Sequence, residues 1–201
     1  MNIAKIRKFA LERLNQVPPL YLYHSKRHTL TVVKYAARFG ELEGLSADEL
    51  MIVEAAAWFH DLGYIECNSG HESASAQLAE RALPEFGFTA AQTAAAAGTI
   101  RATKIPAVPA TILEKVLCDA DVEYIGRSEF YRSGALLRQE MSLLGRSFSE
   151  VEWLDFEIKF LRNFNFFTPA ARRLRSAGQL RRLRELELAR QPFTDREDSL
   201  S

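Results

Sequence analysis

A run of apolar residues, Ala56-Ala57-Trp58-Phe59-His60-Asp61-Leu62-Gly63-Tyr64, is interrupted by an adjacent histidine and aspartate. His60 continues the helical face of Val53 and Ala57, so its imidazole is predicted to point into the core. Asp61 follows at the predicted end of that helix and places a carboxylate beside the imidazole. The stretch therefore predicts a buried helix that ends in an ionisable pair.

Helices are predicted throughout the chain, because apolar residues recur at spacings of three and four almost everywhere. Capping boxes mark three helix starts, Ser46 to Glu49, Thr89 to Gln92 and Ser149 to Glu152, and Thr168-Pro169 marks a fourth. The predicted helices span residues 2–15, 20–43, 47–62, 71–83, 89–102, 109–125, 128–144, 150–165 and 169–190. The expected fold is all-α: a single-domain bundle, residues 1–201, of about eight to nine helices.

Composition narrows the classes of function. The 201 residues carry 26 Lys plus Arg and 26 Asp plus Glu, so binding to nucleic acid through bulk charge is not expected. No apolar run approaches the roughly 18 residues of a membrane-spanning helix, and the N-terminus lacks a signal-peptide pattern, which predicts a cytoplasmic protein without a membrane partner. Cys67 and Cys118 lack the short spacing of a zinc or redox pair and are interpreted as ordinary thiols.

The histidines have the most informative placement. All four, His24, His28, His60 and His71, lie in the first 71 residues. His24 and His28 are four apart on one predicted helix and share a face, while Asp121 continues an apolar face farther along the chain. Burying carboxylates without compensation is costly, and a divalent cation would neutralise them and accept imidazole nitrogens. The alternative is that each histidine is a satisfied core residue and each aspartate a helix cap.

These residues resemble the motifs of the HD-domain superfamily of metal-dependent phosphohydrolases. The resemblance covers about residues 20–165 and consists of His28-Thr-Leu-Thr-Val, the His60-Asp61 pair, and Leu-Cys-Asp119-Ala-Asp121. It implies an HD-type helical bundle in which His28, His60, Asp61 and Asp121 hold the metal, with Asp121 favoured over Asp119. Two imidazoles with two carboxylates suit manganese, iron, zinc, cobalt or nickel better than magnesium alone, and magnesium is kept as an alternative.

The resemblance extends to residues around the metal. His71 and Glu72 resemble a position that contacts a second metal or the substrate phosphate in some relatives, and with Asp61 they are the candidate catalytic residues. His24 and His71 are the candidates for a second metal site. Arg101, Thr103 and Lys104 would form a phosphate clamp, although a solvated helix end explains the two cations equally well.

The last third of the chain is rich in arginine and aromatic residues. The arginine-rich helix 169–190 is interpreted as an amphipathic helix packed on the bundle, with an RNA-facing surface and a homodimer helix as alternatives. Residues 191–201 are expected to form a frayed tail. An aromatic run is interpreted as core rather than as a base-stacking platform; it comprises Trp153, Phe156, Phe160, Phe164, Phe166 and Phe167.

The first hypothesis for function is a hydrolase of a phosphate ester or phosphoanhydride, with a nucleotide as the favoured small-molecule substrate and metal-activated water as the nucleophile. Asp61, which the resemblance makes a metal ligand, would lie next to that water and orient it or accept its proton. The alternative is a non-catalytic, metal-stabilised module that binds a nucleotide or a partner protein as a sensor. A di-iron oxygenase of the HD type ranks third, because such proteins need more metal ligands.

Overall fold

The computed structural model describes residues 1–198, with side chains through residue 193, and this part of the chain is all-α. It contains nine α-helices and no strand, which confirms the predicted fold class. The helices are α1 Ile3–Leu14, α2 Lys26–Leu42, α3 Ala47–Phe59, α4 His71–Ala82, α5 Ala90–Arg101, α6 Ile112–Asp121, α7 Phe130–Leu143, α8 Glu150–Asn163 and α9 Pro169–Asp198. Three short 3-10 turns, Leu62–Ile65, Leu83–Phe86 and Glu123–Gly126, join consecutive helices.

Helix α3 lies at the centre of the bundle. It packs against α1, α2, α5 and α6, and its residues from Ala55 to Phe59 are almost fully buried. The capping box between Ser46 and Glu49 fixes its start, as the sequence predicts. Helices α2 and α6 also pack against each other, so the start of α2 and the ends of α3 and α6 meet in one small volume.

Two predicted helices begin at least three residues later in the structure. The helix predicted from residue 20 begins at Lys26, because the backbone N–H groups of Tyr23 and His24 donate to the side chain of Glu140 instead of continuing a helix. The helix predicted over 109–125 spans Ile112–Asp121, and a capping box between Thr111 and Glu114 fixes its start. As a result, His28 lies in the first turn of α2, and Asp121 is the last residue of α6.

Helix α9 is longer than predicted. It continues through Pro192 to Asp198, so residues 191–198 are helical rather than a frayed tail, and residues 199–201 lie outside the described residues. Pro192 removes one backbone hydrogen bond, but its fixed φ is compatible with a helix. Arg190 binds Asp155 of α8 and holds this end of the helix against the bundle. No helix within residues 1–198 is long and apolar enough to cross a membrane.

Candidate metal centre

Four side chains from three different helix ends converge at the centre of the bundle. His28 lies in the first turn of α2, and His60 and Asp61 directly follow α3. Asp121 is the last residue of α6. Their positions follow from the packing of α2, α3 and α6, which brings these ends together although 93 residues separate His28 from Asp121.

The ligand-type atoms of this cluster are close to one another. His28 Nε2 lies 3.3 Å from His60 Nε2 and 2.9 Å from Asp121 Oδ1. Asp61 Oδ2 lies 3.2 Å from His60 Nε2 and 3.4 Å from His28 Nε2. Metal–ligand bonds of about 2.1 Å place neighbouring ligand atoms about 3.0–3.4 Å apart in octahedral or tetrahedral geometry. These spacings therefore fit a shared cation.

Hydrogen bonding and burial also favour a cation. His60 Nδ1 lies 2.8 Å from the carbonyl of Ala57, so Nδ1–H donates to the backbone and the Nε2 lone pair faces the cluster. Asp61 Oδ2 is buried and has no hydrogen-bond partner. Burying a carboxylate oxygen without a hydrogen-bond partner costs free energy unless a cation compensates its charge. The donor set and the unpartnered oxygen thus fit a divalent metal.

The electrostatics of the cluster show the same need for positive charge. Burial alone would raise the pKa of Asp61, but the His60 imidazole outweighs it and holds that pKa well below its usual range. Burial would likewise lower the pKa of His60, but Asp61 and Asp121 reverse the effect and raise it. Two carboxylates in this volume stay ionised when protonated imidazoles or a metal balance their charge.

The structure separates the two candidate aspartates of α6. Asp121 faces the two histidines, whereas Asp119 is fully buried on the other side of the helix. Asp119 accepts hydrogen bonds from the backbone N–H of Phe167 and from the backbone and hydroxyl of Thr168. Burial raises the pKa of Asp119 to about 6, and these donors oppose the shift. Asp119 therefore anchors the start of α9, and Asp121 belongs to the cluster.

His71 lies beside the cluster, because α4 begins against the turn that follows Asp61. Gly63 permits this approach, since a Cβ at position 63 would overlap the His71 carbonyl. The His71 ring stacks on Tyr64 with centroids 3.8 Å apart, and its Nε2 lies 3.8 Å from Asp61 Oδ1. Glu72 Oε2 is 3.7 Å from His71 Nδ1. The structure thus places His71 next to the cluster and Glu72 beside the other nitrogen of His71.

His24 reaches the same region by a different route from the one predicted. It lies in the turn before α2, not on the helical face of His28, and its Nδ1 contacts Glu140 of α7 at 2.5 Å. The rings of His24 and His71 are 6.1 Å apart. Neither residue belongs to the compact group of His28, His60 and Asp121, the one such group within the described residues. Sequence reasoning missed Glu140, which no local pattern distinguishes.

The proposed phosphate clamp is only partly near the centre. The Arg101 guanidinium binds Glu80 of α4 at 2.7 Å, and the buried Thr103 hydroxyl donates to the carbonyl of Ile100. Lys104 is exposed, between Thr103 and Ile105, which both line a cavity of about 530 Å³ that reaches Asp121. The structure therefore pairs Arg101 with Glu80, and Lys104 is exposed beside two residues that line the cavity but does not itself line it.

A second cavity, of about 470 Å³, also opens beside Asp121. Aromatic side chains from the turn before α2 and from α8 line it, including Tyr23, Phe156 and Phe160. These two phenylalanines were expected to be core residues, but both are only partly buried. Glu157 of α8 also lines this cavity and is 8% exposed.

Glu157 gives a prediction for stability. Burial raises its pKa to about 7, although Trp153 and Arg138 oppose the shift. A carboxyl whose pKa is raised in the folded state binds more protons when folded, so stability is lost as pH rises from about 4.5 to about 7. We expect Glu157→Gln to match the wild type at pH 4.5 and to be more stable at pH 8, by about 3 kcal/mol at most. Denaturant unfolding of both proteins at the two pH values measures the difference; identical pH dependence would contradict it.

Fold and site together define a class: an all-helical protein in which a histidine, an adjacent His–Asp pair and a later aspartate come together in a group that could hold a metal. The HD-domain family model matches residues 26–123, which include all four of these residues. The chain belongs to the HD-domain superfamily, a family of metal-dependent hydrolases. No curated protein matches the chain.

Three solved structures share the fold over almost the whole chain. A predicted HD superfamily hydrolase from an uncultured Thermotogales bacterium has a TM-score of 0.58 and 21% identity, covering 97% of this chain and 99% of its own. A protein from Lactobacillus plantarum has a TM-score of 0.66 and 16% identity, covering 96% and 95%. YpgQ from Bacillus subtilis, crystallised in complex with ADP, has a TM-score of 0.64 and 20% identity, covering 92% and 96%.

Proposed function

We propose that this protein is a metal-dependent phosphohydrolase that cleaves a phosphate ester or phosphoanhydride of a nucleotide. The observation that carries the proposal is the compact group of His28, His60 and Asp121, with Asp61 beside both histidines; Asp121 also borders two open cavities. The ADP complex of the structural neighbour YpgQ supports a nucleotide as the substrate.

The chain's own residues suggest how the reaction proceeds. A divalent cation held by His28, His60, Asp61 and Asp121 would supply Lewis-acid activation of water and of a phosphoryl oxygen. Asp61 directs Oδ2 to the cluster and Oδ1 toward His71, so it can accept a proton from the attacking water at Oδ1. His71 Nδ1 lies 3.2 Å from the carbonyl of Asn68, an interaction that orients Nε2 toward the centre.

His71 and Glu72 are then the candidates for handling the leaving group. The stacked Tyr64 ring holds the plane of His71, and Glu72 lies near its other nitrogen. In this arrangement His71 Nε2 can donate a proton to the leaving oxygen while Glu72 stabilises the imidazolium. His71 Nε2 lies 3.8 Å from Asp61 Oδ1, so we assign it to proton transfer rather than to a second metal.

The proposal is tested by metal analysis and phosphate release on one purified sample. The full chain is analysed by mass spectrometry for bound metal and assayed on nucleotides, phosphomonoesters and phosphodiesters, with and without manganese. About one transition metal per chain together with phosphate release would support the phosphohydrolase. Two irons without release would favour an oxygenase, and metal without turnover a nucleotide- or partner-binding sensor. Absence of metal after reconstitution would contradict the metal centre.

Lys104 provides a prediction about substrate binding. Because Lys104 is exposed and adjoins two residues that line the cavity, we expect Lys104→Ala to raise the KM for a nucleotide about 5- to 10-fold, with metal content unchanged. Arg101→Ala is the matched control, since Arg101 is bound to Glu80 and its loss is expected to leave KM within about twofold. Steady-state kinetics of both variants measures the contrast. An unchanged KM in Lys104→Ala would make Lys104 an ordinary surface residue.

A further inference from the structure

The cavity of about 530 Å³ that borders Asp121 is lined by two cations that the proposed metal chemistry does not use. They are Arg146, which lies in the loop after α7, and Lys159 of α8. Among the described residues that line this cavity, Asp121 is the one carboxylate. Its Oδ1 lies 2.9 Å from His28 Nε2 and 3.6 Å from His60 Nε2. Because Asp121 faces the histidines, no carboxylate of the cavity wall balances the two cations.

Arg146 is held at the wall by aromatic rings. Its guanidinium carbon lies 4.8 Å from the ring centroid of Phe148 and 5.7 Å from that of Phe156. Phe156 and Arg146 line both this cavity and the neighbouring one of about 470 Å³, so the cation lies where the two cavities adjoin. Within residues 1–193 Arg146 forms no ion pair with a carboxylate. A guanidinium that lies over aromatic rings keeps its N–H groups available for an anionic ligand.

Lys159 lies on the face of α8 that borders the cavity. Phe156 and Asn163, three residues before it and four after it, line the same cavity. Its ammonium also lacks a carboxylate partner in the part of the chain whose side chains are described. The other cation of α8, Arg162, binds Glu187 at 2.8 Å. Helix α8 therefore pairs the cation that faces α9 and leaves the cation of the cavity unpaired.

We propose that this cavity binds the phosphate chain of the substrate, with Arg146 and Lys159 contacting phosphates beyond the one at the metal. The inference rests on the proposed phosphohydrolase, which places the reacting phosphate at the cluster that includes Asp121. Because Asp121 borders the cavity, a group bonded to that phosphorus extends into it. Guanidinium and ammonium groups both bind phosphate, and further phosphates would balance their charge. The favoured substrate is then a nucleoside di- or triphosphate rather than a monophosphate.

The experiment measures binding of two probes that cannot be hydrolysed, using the full chain with its metal. The probes are inorganic phosphate and the bis(methylene) analogue of inorganic triphosphate, titrated by calorimetry. We expect the analogue to bind the wild type at least about 10-fold more tightly than phosphate. Arg146→Gln and Lys159→Gln are each expected to raise the Kd of the analogue about 3- to 10-fold and to leave the Kd of phosphate within about twofold. Arg162→Gln, which removes a paired cation from the same helix, is the matched control and is expected to change neither Kd by more than about twofold.

The comparison of two probes separates a contact from a structural effect, because a disturbed fold would weaken both probes. Lys159 is exposed, so Lys159→Gln keeps the test valid if Arg146→Gln does not fold. Equal affinity of the wild type for the two probes would overturn the inference, as would analogue binding that neither variant weakens.

The two proposals fail separately, since the binding experiment needs no turnover. Hydrolysis of phosphomonoesters without preferential binding of the analogue contradicts the phosphate-chain cavity alone. Preferential binding that the variants weaken, without hydrolysis of any substrate, supports the cavity and contradicts the phosphohydrolase.

Discussion

Asp61→Ala is expected to remove both metal binding and hydrolysis. A divalent cation with two carboxylates and two neutral imidazoles has no net charge, whereas loss of one carboxylate leaves a positive charge in a buried volume. The nearest groups to Asp61 Oδ2 are the Nε2 atoms of His60 and His28, which would be co-ligands of the same metal. We expect the bound metal to fall from about one per chain to nearly zero and activity to fall by at least about 10³-fold. Mass spectrometry and phosphate release on the same sample measure both effects.

Two further variants make this test specific. Asp61→Asn keeps the shape of the side chain and removes its charge, so it is expected to lose metal as Asp61→Ala does. Asp48→Ala removes an exposed carboxylate from the first turn of the same helix and is expected to keep full metal content. Circular dichroism confirms that each variant is folded. Full metal stoichiometry in folded Asp61→Ala would remove Asp61 from the ligand set and the main support for the proposed chemistry.

The parts of the site that could be predicted from the sequence are those that local spacing determines. His60 and Asp61 are adjacent in the chain, so the helix that buries one necessarily brings the other. Asp119 and Asp121 are two positions apart and point about 200° around a helix from each other, so only one can face the cluster. The apolar face of α6 favours Asp121, and the structure places Asp121 at the histidines.

Features that depend on distant contacts could not be predicted. Helical periodicity extends the second helix back to residue 20, but Glu140, more than 110 residues away, binds the Tyr23 and His24 amides and holds them in a turn. The cavity beside Asp121 also depends on contacts between distant parts of the chain. Phe156 and Phe160 have the spacing of core residues, and only the position of α8 relative to the turn before α2 shows that they line an open space.

Removal of helix α9, by ending the chain after Phe167, is expected to unfold the protein. Helix α9 packs along α8 and against the turn Glu123–Gly126, and it buries Ala170, Ala171 and Leu186. The close contact of Gly178 with Gly126 leaves no room for a side chain between them. The helix is thus part of the core, and its loss would expose apolar surface on several elements.

The truncation would also remove hydrogen-bond donors from two buried carboxylates, of which Asp119 would keep the Phe167 N–H and Glu123 would keep Arg127. Asp119 would lose both hydrogen bonds from Thr168, and Glu123, which is 1% exposed, would lose Arg175. Each buried carboxylate that loses its donors costs about 1–3 kcal/mol or more. Added to the lost apolar contacts, this approaches the 5–15 kcal/mol that stabilises a typical domain.

The control is a chain that ends after Gln191, which keeps every residue of α9 that is buried among the side chains described through residue 193, and it is expected to remain folded. Circular dichroism and thermal melting compare the two truncated chains with the full protein. A 1–167 chain that folds as a monomer with a cooperative melting transition would contradict the packing argument. In that case the arginine-rich helix would be dispensable for the bundle, and its basic surface would be available to a partner, as the alternative sequence interpretations propose.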